Sequence, residues 1–285
     1  MQKSSLSLSE RMVEKNLDRY SGEDQIVSAP EMMIKLQEKP ESVIKVKSFI
    51  PSLDEAVGHF QEGELIVISG PTKGGKTLLG QTLTQAFIKQ QHYPLWFSFE
   101  VPTRQFFGQF KELPLIYMPK RLKAHAMEWF EERVFESFLK FHTRIIFVDH
   151  LHYLIDLART RNPSIEIGQI IRRLKTLTVE GEFLIFLLCH TTKGSSDGEL
   201  SYESIRDSSF VSQESDSVLM IKRTPKEGTN TARLRIEFHR RVGCLERVIY
   251  LQKVGDKLGE RMPPNDGRSE TLPHPKKAEW QNGYQ

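Results

Sequence analysis

The sequence predicts an α/β fold, a mostly parallel sheet with helices on both faces, and two patterns carry that prediction. Residues 65–69, 95–99, 145–148, 183–189 and 217–221 are almost continuously apolar, as strands covered on both faces must be. Between them lie helical patterns. Residues 78–90 follow a glycine-rich loop; Met127, Phe130, Val134 and Phe138 fall at helical spacing, as do Ile167, Ile170, Ile171, Leu174 and Leu177. Strands alternating with helices give a parallel sheet wrapped by helices. Residues 233–238 and 247–252 alternate like an antiparallel pair joined around Gly243, which adds a C-terminal hairpin to the sheet.

The flanks read differently. Residues 1–45 are polar and charged, with short helices expected near 8–20 and 29–38, and too few apolar residues to build a core. They read as an N-terminal arm or linker, residues 46–258 as one domain, and residues 259–285, rich in Pro, Gly and charge, as a disordered tail. A length of 285 residues suits one large α/β domain with appendages. With 38% hydrophobic and 27% charged residues, a globular chain is expected. Its net charge of +3 permits a nucleic-acid partner without arguing for one. Cys189 and Cys244 form no C-x-x-C pair, which argues against a disulfide scaffold or structural zinc. No apolar run approaches a membrane span and the first residues lack a signal-peptide core, so a cytoplasmic protein without a membrane partner is expected.

Gly70, Pro71, Thr72, Lys73, Gly74, Gly75, Lys76 and Thr77 match G-x-x-x-x-G-K-[ST] between a strand and a helix. Such a loop closes its backbone N–H groups around phosphates, aided by the partial positive charge of the helix N-terminus. Lys76 is then expected on the β- and γ-phosphates of ATP, and the Thr77 hydroxyl on Mg²⁺. Asp149 ends the apolar run beginning at Ile145, where the second acid of such sites holds Mg²⁺. Glu100 closes the run beginning at Leu95, and a carboxylate there can polarise the water that attacks the γ-phosphate.

The order Phe97-Ser-Phe-Glu100, Ile145-Ile-Phe-Val-Asp149-His-Leu-His, Leu187-Leu-Cys-His190 and Ser204-Ile-Arg206-Asp-Ser-Ser-Phe-Val-Ser-Gln-Glu-Ser-Asp216 resembles the motor domain of DnaB-type replicative helicases. Those helicases belong to the RecA-like hexameric superfamily, within the P-loop NTPases, and the resemblance covers about residues 49–252. It implies Glu100 as catalytic base, Asp149 as the Mg²⁺-associated acid, and His190 as a γ-phosphate sensor that reports to bound DNA. Bacterial members usually carry glutamine at the His190 position, and phage relatives carry histidine. The family's intersubunit K-x-R segment aligns with His239 and Arg241, so the lysine is missing while the arginine finger is retained; Arg240 stands between them as a substitute cation.

The resemblance further implies a homo-oligomeric ring, six-membered in the family, with single-stranded DNA in a central channel and other replication proteins as further partners. Arg159, Arg161, Lys193 and Arg206 lie in two expected channel loops and are candidates for phosphate contacts, with Ser208 and Ser209 as additional donors. Neither a collar domain nor a primase is read in the sequence. That keeps open a rival reading, a RecA-like ATPase of recombination, repair or regulation that unwinds nothing.

Overall fold

The computed structural model describes residues 19–22, 24–38, 44–154, 163–191 and 208–263. The chain divides into two units, Met1–Val43 and Ile44–Gln285. In the first, α1 (Ala29–Glu38) buries none of its residues. Ser28 and Glu31 cap it reciprocally: Ser28 N donates to Glu31 Oε2 at 2.8 Å, and Glu31 N to Ser28 Oγ at 3.4 Å. The helix expected near 8–20 lies outside the described residues except at its last two positions.

The second unit opens with two short strands, β1 (Lys45–Val46) and β2 (Phe60–Gln61), paired antiparallel across the helix α2 (Pro51–Val57). Then comes the main sheet. Its strands are β3 (Leu65–Gly70), β4 (Leu95–Ser98), β5 (Ile145–Asp149), β6 (Leu184–His190), β7 (Ser217–Arg223), β8 (Thr231–His239), β9 (Gly243–Val254) and β10 (Lys257–Glu260), in the spatial order β10-β9-β8-β7-β3-β6-β5-β4. β7, β3, β6, β5 and β4 run parallel, and β8, β9 and β10 continue the sheet antiparallel. The order places β3 between β6 and β7, with later strands added on both sides, so the β3 loop faces a crevice between neighbouring strand ends.

Intervening helices are α3 (Lys76–Lys89), α4 (Thr103–Phe107), α5 (Met127–Phe141), α6 (Pro163–Glu180) and α7 (Ser208–Glu214). Alternate strand residues feed two cores. Ile66, Ile68, Trp96, Phe147 and Phe186 belong to one, and Leu65, Val67, Phe97, Ile146 and Leu187 to the other. In the first, Trp96 stacks on Phe147 at 4.5 Å and Phe147 on Phe186 at 4.7 Å, an aromatic row across β4, β5 and β6. α3 lies over that row. A Cβ on Gly80 would come within 2.9 Å of the Trp96 ring, so glycine is what lets α3 settle on the sheet. No helix of the described residues is long and apolar enough to cross a membrane.

One boundary differs from expectation. Gly259 and Glu260, assigned to the tail by composition, pair with Gln252 and Leu251 as part of β10. Gly255 turns the chain with φ of 63°, and Ser52 N donates to Glu260 Oε2 at 2.9 Å. A tight hairpin supplies the backbone partners that a polar sequence alone does not announce.

Candidate active site

The parallel register aligns the strand ends that carry the chemistry. Gly70 lies beside His190, and Ser98 beside Asp149, so residues 70–77, Glu100, Asp149 and His190 share one edge of the sheet. β3 turns into the loop at Gly70, where a Cβ would stand 2.0 Å from the carbonyl oxygen of Ile221 on β7. Only glycine fits so close to a neighbouring backbone. Gly74 N donates to Pro71 O at 2.9 Å and closes the loop, while Thr72 and Lys73 stay exposed. Gly75 precedes α3, whose first two residues are Lys76 and Thr77.

Lys76 is buried at 4% exposure. Its Nζ donates to Gly70 O at 3.0 Å, to Pro71 O at 3.1 Å and to His190 Nδ1 at 3.0 Å. Burial lowers its pKa, partly offset by the carboxylates of Glu100 and Asp149. A desolvated ammonium held by two carbonyls and a neutral ring is poised to exchange them for phosphate oxygens.

Asp149 is fully buried. Its Oδ2 accepts from Thr77 Oγ1 at 2.8 Å, while Oδ1 is buried and finds no hydrogen-bond donor among the described residues. Burial pushes the carboxyl up to about 6, against the favourable Thr77 bond. A buried carboxylate with one oxygen unsatisfied, next to a hydroxyl in the first turn of α3, fits an oxygen-seeking cation. Mg²⁺ therefore suits Thr77 and Asp149, where it would supply charge to the phosphates.

Glu100 stands two residues past β4, its side chain 35% exposed. Oε2 lies 3.4 Å from His190 Nε2 and 3.5 Å from His150 Nδ1. His150 was not foreseen. It follows Asp149 through a cis peptide, and its ring meets that of His190 edge-on at 4.6 Å. Burial lowers the pKa of both imidazoles, His150 to about 3, and both lie close to the Lys76 ammonium. The sequence offers only its position, one residue after a strand-ending acid, and that does not tell which way the ring faces.

Lys73 also lines a cavity of about 510 Å³ with Arg223, Asn230 and Thr231, between the glycine-rich loop and the β7–β8 turn.

His239 and Arg241 lie elsewhere. Ser217, at the start of β7, pairs with His239, so the end of β8 meets the edge opposite the loop. Arg241 Nε donates to Glu64 Oε1 at 3.2 Å and its guanidinium also donates to His59 O. His239 has 0% exposure and sits 3.8 Å from Glu64, within its own chain. That differs from the surface position a nucleotide-touching residue needs. Arg240 donates to Gln213 O at 3.0 Å. Asp216, part of the distinctive motif, accepts from Leu65 N at 2.7 Å and Lys175 Nζ at 2.6 Å, tying β7 to β3 and α6 at that same edge.

Burial holds the His239 pKa down to about 4, with the Arg241 charge adding to the effect. Between pH about 6.5 and 4 the unfolded chain therefore takes up a proton that the folded one refuses, and stability falls by roughly 2–3 kcal/mol. His239→Gln is expected to flatten that part of the dependence of the urea midpoint on pH. An unchanged slope would show that His239 titrates normally.

Arg159, Arg161, Lys193 and Arg206 lie outside the described residues, and Ser209 falls in α7.

Comparison with protein-family models and with curated proteins returns no match. Solved structures do match. One, described as a DnaB-like replicative helicase with its interactions with primase, superposes with a TM-score of 0.68 at 14% identity, over 88% of this chain and 71% of that one. Another, the ATPase domain of G40P, gives 0.70 at 14% identity, over 83% of this chain and all of that domain. The fold is that of a RecA-like P-loop NTPase, a parallel sheet extended by an antiparallel hairpin. More narrowly, it is the fold of the DnaB-type motor domain.

Proposed function

We propose that the protein is an ATP-driven DNA helicase or translocase of the DnaB type, which hydrolyses Mg²⁺-ATP between subunits of a homo-oligomeric ring. The observation that carries this reading is the meeting of Lys76, the Thr77–Asp149 pair, Glu100 and His190 at one sheet edge, drawn from four strand ends. Phosphoryl transfer asks the protein for little covalent chemistry; positioning and charge do most of the work.

In this reading the triphosphate lies along residues 70–77, and the neighbouring cavity beside Lys73 takes the rest of the nucleotide. Lys76 leaves its loop carbonyls for the phosphates. Glu100 accepts a proton from the attacking water, its carboxylate held by His190 Nε2 at 3.4 Å. His190 touches both Lys76 and Glu100, so movement of either as the γ-phosphate departs reaches the end of β6. Lys193, in the segment that follows β6, is with Arg159, Arg161, Arg206 and Ser209 the proposed grip on single-stranded DNA. Contacts of that kind are blind to sequence and weaken with salt.

Arg241 is the proposed cation for the neighbour's γ-phosphate, with Glu64 holding it ready from within its own chain. Arg241→Ala is expected to cut DNA-stimulated hydrolysis by about two to three orders of magnitude while ATP still binds. Lost nucleotide binding would assign the residue to fold maintenance instead. The decisive experiment is ATP turnover with and without single-stranded DNA across a range of protein concentrations, beside unwinding of a forked duplex. Turnover that rises with both DNA and concentration, together with unwinding, supports the reading. DNA-stimulated turnover with filaments and strand exchange but no unwinding supports a recombination-type ATPase, and turnover indifferent to DNA overturns the helicase reading.

A further inference from the structure

We propose that Glu100, His150 and His190 form a three-ligand site for a late transition ion such as Zn²⁺, and that occupation of this site stops ATP hydrolysis by capturing Glu100. The second half rests on Glu100 being the base; the first half does not. The three side chains lie at or just past the ends of β4, β5 and β6, which are neighbours in the sheet.

The geometry is close to what the ion requires. Zinc bonds of about 2.0–2.2 Å in a tetrahedron place ligand atoms about 3.3–3.6 Å apart. Glu100 Oε2 stands 3.4 Å from His190 Nε2 and 3.5 Å from His150 Nδ1, so two edges of that tetrahedron already exist. The third lies between the two histidine nitrogens, and all three donor atoms fall within 4.8 Å of one another. A modest ring rotation closes it. His150 Nδ1 is buried and makes no hydrogen bond among the described residues, so coordination through it breaks none. The ring itself is braced edge-on by Tyr153 at 5.0 Å.

The donor set selects the ion. Two imidazoles and one carboxylate suit zinc and its neighbours, whereas Mg²⁺ prefers oxygen and octahedral coordination. The Mg²⁺ position at Thr77 and Asp149 is all oxygen, so the two sites discriminate by chemistry although they adjoin. Lys76 Nζ approaches the other nitrogen of His190, Nδ1, at 3.0 Å. Nδ1 therefore accepts from Lys76 and Nε2 carries the ring proton; binding the ion at Nε2 sends that proton to solvent while Nδ1 takes one from Lys76, so one proton is released on binding and the site is a weak, reversible one. The fourth position is left for water, as in zinc sites with three protein ligands.

Co²⁺, which reports four-coordination by an intense visible band, tests the site in the full chain without nucleotide. The expected result is a band saturating at one equivalent, bleached by one equivalent of Zn²⁺, and weakened at least about tenfold in affinity by either His150→Gln or His190→Gln. A band that persists in both variants, or no saturable band in the folded protein, overturns the site. In the hydrolysis assay with excess Mg²⁺, Zn²⁺ is expected to inhibit and a chelator to restore the rate, with the inhibition reduced in His150→Gln. Equal inhibition of that variant and the parent overturns the inhibitory role. If the parent protein hydrolyses no ATP, the ATPase reading fails while the Co²⁺ band still decides the metal site.

Discussion

Replacing Lys76 with alanine is expected to reduce ATP turnover at least about a thousandfold, to the background of a phosphate-release assay. The ammonium is the buried cation at the start of α3, directed at the two carbonyls through which the strand becomes the loop. No charge on the solvent side can replace it, because water screens an exposed cation far more than a desolvated one. The fold should tolerate the change. Burial already disfavours this ammonium, and its removal releases a desolvation cost while leaving a small void beside Gly70 and His190. The thermal midpoint is therefore expected to hold or rise, which separates a chemical defect from a folding one. Turnover within tenfold of the parent, in a variant with an intact melting transition, would remove the nucleotide site from residues 70–77.

Glu100→Gln is expected to lower kcat by about two to four orders of magnitude with little change in KM for ATP. The amide keeps the length and shape of the carboxylate, so contacts with His150 and His190 at 3.5 and 3.4 Å survive as neutral ones. What disappears is the ability to take a proton from water. Because the side chain is partly exposed and lies beyond the phosphate loop, ATP affinity should not depend on its charge. Single-turnover rates and fluorescent-nucleotide binding measured side by side check both halves. A kcat within threefold of the parent would transfer the role of base to another group at this edge, and a large rise in KM alone would make Glu100 a binding residue.

The sheet was largely legible in the sequence. Each of the five apolar runs is a strand, offset by one or two residues at an end, because a strand buried on both faces leaves no room for polar positions. The helix after the loop begins at Lys76, two residues before its apolar pattern does, since capping at a glycine precedes the first core contact. His150 escaped notice because nothing local separates a strand-end histidine that faces the crevice from one that faces solvent. Its neighbours, Glu100 and His190, are fifty and forty residues away in the chain.

The composition and spacing of this chain determined by themselves the alternation of strands and helices, the glycine-rich turn between β3 and α3, and the placing of Asp149 at the end of β5 and of Glu100 just past β4. These are short-range matters, settled by burial periodicity and by the few residues able to make a tight turn. Tertiary structure alone decided the strand order β7-β3-β6-β5-β4, which is what sets Glu100, His150 and His190 side by side. It also decided that His239 is buried and that Arg241 is tied to Glu64 at the far edge. Strand order depends on which apolar faces pack together across the whole domain, and that information is spread over the chain rather than held in any one segment.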